Sequence, residues 1–237
     1  MKTVLGFIAF NNNYLVNVLL RSFICTNNEK IDVVIFNNGT EEVSIMPKTL
    51  EQLGNVTILD NTKSTFIDFE KFFVENKPKF SDYWKNNYGS IRHCMALDYL
   101  IKNIEYDKMI LCDVDVIFKQ SLSSLLKLGD VVGEIGRNPL MNRKSELRLL
   151  PFLFIVDKTI KDKISFFDKN RMLLLTHDRY DTGGSFLEDI QNTKINFSQI
   201  KIGDFISHLG SATWLDGSKR NIKRWVASNA EFLTVNT

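Results

Sequence analysis

Three apolar runs near the N-terminus each end in asparagine or aspartate, and this pattern constrains the fold more than any other feature. Thr3–Phe10 stops at Asn11-Asn12-Asn13, Ile31–Phe36 at Asn37-Asn38-Gly39-Thr40, and Val56-Thr57-Ile58-Leu59 at Asp60-Asn61. The runs are too short for helices and rich in β-branched residues, so they are predicted as buried strands. Between the first two, Tyr14–Phe23 spaces its apolar residues at helical period. Between the second and third, Pro47–Leu53 suits a short helix with proline in its first turn. A β-α-β-α-β opening implies a parallel sheet with right-handed crossovers, which binds ligands in the crevice beyond the strands' C-terminal ends.

A fourth run, Lys108–Phe118, carries two aspartates, Asp113 and Asp115, separated by Val114. Read as one strand, it turns both carboxylates to the same side, with their Cα atoms about 6–7 Å apart. Two hard oxygen donors at a strand's C-terminal edge match a divalent cation that keeps positions open for phosphate oxygens. Standing alone, Asp-Val-Asp is more often a solvated acidic turn.

Around this run, residues 62–88 interleave Phe66, Phe69, Phe72, Phe73, Phe80, Tyr83, Trp84 and Tyr88 with charges, an aromatic stripe expected to pack as core or lid. A helix is predicted from Gly89-Ser90 to Lys102. Further on come a short helix over Ser121–Leu128, a strand over Asp130–Ile135, a polar loop over Asn138–Arg148 and a strand over Pro151–Val156. Asp181-Thr182-Gly183-Gly184-Ser185 reads as a turn opening a helix to about Gln191.

Of 237 residues, 44% are hydrophobic, enough for a large core in a single domain; the net charge of +2 is too mild to point to nucleic acid as the main partner. Cys25, Cys94 and Cys112 are odd in number and lie in apolar surroundings, as expected of reduced thiols in a cytoplasmic protein. The apolar N-terminus ends at the asparagines without a small-residue cleavage site, and no stretch approaches bilayer length, so a soluble chain is expected, with peripheral membrane contact open to it.

The order Phe7-Ile8-Ala9-Phe10-Asn11, Leu20-Arg21-Ser22, Arg92-His93 followed by Ala96-Leu97, then Asp113-Val114-Asp115, resembles the GT-A-fold glycosyltransferases, in particular the family-two enzymes that use nucleotide-diphosphate sugars. The likeness runs from Val4 to about Trp214. One departure is plain: Asn37-Asn38-Gly39-Thr40 stands where the family places an acidic turn against the nucleoside.

The resemblance implies an α/β fold over residues 1–237: a single GT-A domain with a mixed, mostly parallel central sheet flanked by helices, and a basic C-terminal tail from about residue 215. It implies a metal-dependent transfer, with inversion, from a nucleotide-diphosphate sugar such as a UDP- or GDP-sugar to a glycan, lipid-linked glycan or protein hydroxyl. Asp113, Asp115 and the late His208 would hold Mn²⁺ or Mg²⁺. Phe10, Asn11, Asn38, Asp60, Arg92, Asp113, Val114 and Lys219 would meet the donor, and His93 would face it or orient a helix end. Asp181 is the first candidate for general base, with Asp189 and Glu188 next; Asp181 serves equally as the N-cap of the helix after it. Lys219, Arg220, Lys223 and Arg224 form either a solvated face or a segment that closes on the diphosphate. Two rivals stand beside this reading. A sugar nucleotidyltransferase would need a glycine-rich loop after the first strand, where the chain has three asparagines. A non-catalytic binding domain on the same fold would bind donor without turnover.

Overall fold

The computed structural model describes residues 1–76, 84–137, 147–168, 182–210 and 218–234; within 84–88 and 218–220 it describes the backbone only. The strands are β1 (Thr3–Ala9), β2 (Asp32–Asn37), β3 (Val56–Asp60), β4 (Lys108–Cys112), β5 (Val116–Phe118), β6 (Val131–Gly133), β7 (Ile135–Arg137), β8 (Leu147–Leu149), β9 (Leu153–Asp157), β10 (Phe197–Gln199) and β11 (Ile206–His208). The α-helices are α1 (Asn13–Thr26), α2 (Pro47–Leu50), α3 (Phe69–Asn76), α4 (Trp84–Asn103), α5 (Gly184–Asn192), α6 (Ile202–Phe205) and α7 (Ser218–Ser228).

Seven strands form the central sheet in the order β10-β6-β9-β4-β1-β2-β3. Every neighbouring pair is parallel except the two made by β9, which runs against β4 and β6. The mixed, mostly parallel sheet expected from the sequence is therefore present. Both faces are covered. Leu5, Phe7 and Ala9 of β1, with Ile110 and Cys112 of β4, pack on the α1 side, while Val4, Ile8, Met109 and Leu111 pack on the α4 side. Burial on both faces is why these strands read as continuous apolar runs.

Helix α1 begins where Asn12 accepts a hydrogen bond from Leu15 N (3.2 Å), the side-chain cap expected of asparagine at that position. Its buried stripe runs through Leu15, Leu19 and Phe23. Among the described residues no helix is long and apolar enough to cross a membrane.

Several sequence expectations are revised. The run over 108–118 is two strands broken by a turn at Asp113-Val114-Asp115, so backbone reversal and not strand alternation sets the direction of the two carboxylates. Within Ser121–Leu128 only Leu125–Lys127 is helical, as a single 3-10 turn. There Ser121 Oγ bonds Ser123 N (3.3 Å), the local competition by which serine weakens a helix start. Arg148, assigned to a polar loop, lies on β8, which pairs with β7 as an antiparallel hairpin. Helix α4 begins earlier than Gly89.

Candidate metal and donor site

The three aligned strand ends Ala9, Asn37 and Asp60 are in register across β1, β2 and β3, and β4 joins them through the pair Phe7 and Cys112. Immediately past Cys112 the chain turns through Asp113-Val114-Asp115 into β5. That strand pairs antiparallel with β11, placing His208 opposite Val116. A bond from Leu209 N to Asp115 O (3.0 Å) extends the pairing, and the ribbon thereby carries His208 back to the aspartates.

Contacts on both of its strands hold the ribbon in place. The Phe118 N–H donates to Ser22 Oγ on α1 (3.0 Å), and the Phe118 ring meets Phe23 edge-on at 5.1 Å. On the other strand, Ser207 Oγ accepts from Trp225 Nε1 of α7 (2.9 Å). The sequence marked Ser22 only by resemblance; its role here is to satisfy a buried backbone N–H of the strand behind the site.

At the site, His208 Nε2 lies 3.2 Å from Asp115 Oδ1 and 3.8 Å from Asp113 Oδ2. One ligand atom from each of Asp113, Asp115 and His208 falls within 4.8 Å of the others. A six-coordinate ion with bonds of about 2.1 Å needs donor separations of roughly 3–4.2 Å, and the two separations made by His208, 3.2 and 3.8 Å, fall in that range. Two carboxylates and one imidazole suit Mn²⁺ as well as Mg²⁺. The His208 ring stacks on Phe152, centroids 3.8 Å apart at 24°, which fixes its plane. Burial opposes charging of His208, but its hydrogen bond to Asp115 and the charges of Asp115 and Asp113 prevail, holding its pKa above the usual value; the charge of Arg148 pulls the other way. Burial, with Asp113 and Asp115 nearby, pushes the Cys112 thiol well up and keeps it neutral. Sequence spacing gave no hint of Phe152.

On the β1–β3 side, Phe10 is 45% exposed and so offers a ring face to solvent at the crevice. Arg92 of α4 lies between two rings, 5.9 Å from Phe10 and 4.7 Å from Phe69, and its Nη2 donates to Asn38 O (3.1 Å). Asn38 is buried. Asp60 accepts from Asn37 Nδ2 (3.2 Å) and from Thr62 N (3.1 Å). Asn11, with φ of 47°, turns its Oδ1 to Thr40 N (2.7 Å) and Glu41 N (3.1 Å). Gly39 is needed there, since a Cβ would sit 2.2 Å from that Oδ1. Asn11 therefore braces the turn after β2, a task the sequence did not disclose.

Of the general-base candidates, Asp181 lies outside the described residues. Its neighbours are tightly set: Thr182 O accepts from Arg148 Nη1 (3.2 Å), and Gly183, at φ 94°, caps α5 and accepts from Leu149 N (3.2 Å). Asp189 on α5 accepts from Ser165 N through Oδ2 (2.8 Å), and Glu188 precedes it on the same helix. For Lys219 the backbone alone is described, in α7; Lys223 and Arg224 of that helix are exposed.

No protein-family model matches the sequence, and no curated protein matches it. Solved structures do match by shape. The galactosyltransferase LgtC bound to donor and acceptor sugar analogues superposes with a TM-score of 0.50 at 15% identity, over 84% of this chain and 73% of that one. An active-site mutant of LgtC gives 0.55 at 14% identity over 95% of both chains. The fold is that of the GT-A glycosyltransferases. S. aureus TarS gives 0.50 at 14% identity over 100% of this chain, which spans only 40% of TarS. At such identities the likeness carries the GT-A fold alone.

Proposed function

We propose that this chain is a metal-dependent glycosyltransferase, a single GT-A domain that moves a sugar from a nucleotide-diphosphate sugar to a hydroxyl acceptor. One observation carries the reading: in this fold, Asp113, Asp115 and His208 converge beyond the C-terminal edge of the sheet, where such a donor would lie. Bound there, Mn²⁺ or Mg²⁺ supplies Lewis acidity to the departing nucleoside diphosphate.

The chain's own residues then divide the remaining work. Phe10, backed by Arg92 on Phe69, presents an aromatic face for the nucleoside. Asp60, at the end of β3, would offer its carboxylate to the ribose; Asn38, buried and bonded to Arg92, would support that edge, and Asn11 holds the turn. Val114, buried between the two aspartates in the chain, would meet the donor from below the turn. Positive charge to meet the diphosphate and help exclude water would come from Lys219 together with the exposed Lys223 and Arg224 of α7. In the inverting course implied by the resemblance to family-two enzymes, the acceptor oxygen attacks the anomeric carbon. The bond to the diphosphate oxygen breaks with its electron pair, and the Asp181 carboxylate takes the acceptor's proton.

The test is a panel of UDP-, GDP- and dTDP-sugars incubated with Mn²⁺ or with EDTA, following release of nucleoside diphosphate, beside calorimetric titration of the free diphosphates. Metal-dependent release from one donor, absent in Asp115→Ala, is the expected result, and the anomeric configuration of the product by NMR reads the stereochemical course. Failure of every nucleoside diphosphate to bind in the presence of Mn²⁺ would overturn the proposal. Tight binding with no transfer or hydrolysis in any combination would favour the non-catalytic domain.

A further inference from the structure

The Asp113 carboxylate is bracketed by two imidazoles. Its Oδ2 faces His208 Nε2 at 3.8 Å, while its Oδ1 faces His93 Nε2 at 3.5 Å. His93 arrives from a different element. It sits on α4, whose rotation is fixed because Ile91, Cys94, Ala96, Leu97, Leu100 and Ile101 are all buried. With those positions turned to the core, His93 is carried to the crevice with its side chain one-quarter exposed.

We propose that His93 is a positioning residue for the metal site: its ring N–H holds Asp113 Oδ1 and thereby aims Oδ2 at the cation. This rests on the metal reading above and extends it to a residue outside the ligand set. Three points favour orientation over direct ligation. The atoms that gather within 4.8 Å of one another come from Asp113, Asp115 and His208, without His93. His93 approaches the oxygen of Asp113 that points away from His208. At 3.5 Å the contact is long enough to tighten once the carboxylate is drawn to a cation, as site hydrogen bonds commonly do on loading. An unbraced carboxylate can swing either oxygen to the metal or chelate with both. A donor on one oxygen removes that choice before binding, the usual contribution of groups just beyond metal ligands.

The experiment uses the full chain and Mn²⁺ alone, by calorimetry and by pulsed EPR, on wild type, His93→Ala, His93→Gln, Asp113→Ala and His208→Ala. His93→Ala is expected to weaken Mn²⁺ binding roughly 10- to 100-fold. His93→Gln, which keeps an N–H donor, should recover most of that loss. Melting temperature in EDTA should stay at the wild-type value for both variants. EPR should show one coordinated imidazole nitrogen, retained in His93→Ala and absent in His208→Ala.

The inference is overturned if His93→Ala binds Mn²⁺ as wild type does, if His93→Gln is no better than His93→Ala, if melting falls together with affinity, or if the nitrogen coupling changes in His93→Ala. Absence of Mn²⁺ binding in wild type itself would overturn this inference and the metal-dependent function together, and that outcome is recognisable because Asp113→Ala would then match wild type.

Discussion

Replacing three glycines by alanine separates backbone strain from steric contact next to the site. At Gly203 a Cβ meets no described atom within 4 Å, so the change only lowers unfolded-chain entropy and is expected to be neutral or to stabilise by about 0.5 kcal/mol. Gly210, just past His208, has φ of 66° but likewise no described atom within 4 Å of a Cβ. Alanine there bears the left-handed backbone penalty alone, about 1–2 kcal/mol. Gly183 combines both terms: φ is 94°, and a Cβ would lie 1.9 Å from the Leu149 carbonyl oxygen. An ordinary contact needs more than 3 Å, so β8 must retreat by over an ångström. That movement breaks the bond from Leu149 N to Gly183 O, adding about 1 kcal/mol to the backbone term. The sum is about 2–3 kcal/mol, a fall in melting temperature of roughly 4–12 °C for a chain of this size. Urea denaturation of the three variants gives the ordering directly. A Gly183→Ala variant as stable as Gly210→Ala would refute the steric account of the turn that precedes α5.

Other outcomes follow from the same geometry. Asp115→Ala or His208→Ala should weaken calorimetric Mn²⁺ binding by more than His93→Ala does while leaving the far-UV circular dichroism unchanged. Because the folded pKa of His208 is raised, its imidazolium stabilises the metal-free fold fully below the ordinary value of about 6.5, and the contribution is lost as pH climbs through the raised value. The stability difference between wild type and His208→Gln in EDTA should therefore shrink from pH 6 to pH 8, while Mn²⁺ affinity rises over the same interval because Nε2 must shed its proton; a constant difference would contradict the pairing. Ser22→Ala orphans the Phe118 N–H and should lower unfolding free energy by about 1–3 kcal/mol, whereas Ser22→Thr, which keeps the acceptor, should lose less. Asp98 of α4 accepts from Phe166 N (2.6 Å), Phe167 N (3.1 Å) and Ser165 Oγ, so Asp98→Ala strands several donors and should lower stability by about 3 kcal/mol in the same denaturation assay.

The elements legible in the sequence are those whose stabilisation is local or continuous. Strands β1, β2 and β4 carry their own signal because both faces are buried, and α1 announces itself through Asn12 and its apolar stripe. Strands β5, β7, β8, β10 and β11 are each three residues long, too short to display a period, and exist because a remote partner satisfies them. The ribbon of β5 and β11 is the instructive case. Asp113-Val114-Asp115 was readable as a carboxylate pair, but the turn that aims it depends on Ser22, Phe152 and His208, which no sequence spacing links to it.

The asparagines show why a departure from a family pattern need not be a loss. The stretch after β2 is held by side-chain amides that mimic a neighbouring strand. Asn13 donates to Glu42 O (3.0 Å) and accepts from Ser44 N (2.9 Å), and Asn17 donates to Ser44 O (2.9 Å) and accepts from Met46 N (2.9 Å). Asn37 does the same at the strand end, accepting from Gly39 N (3.2 Å) while donating to Glu41 O (2.8 Å) and to Asp60 (3.2 Å). An ionised carboxylate at position 37 could accept from Gly39 but could not donate to either oxygen, and it would stand beside Asp60 as a like charge. In this chain the amide at the position expected to be acidic is therefore what holds the turn shut around Asn38 and Asp60. The acid remaining at that edge, Asp60, is supplied by the next strand over.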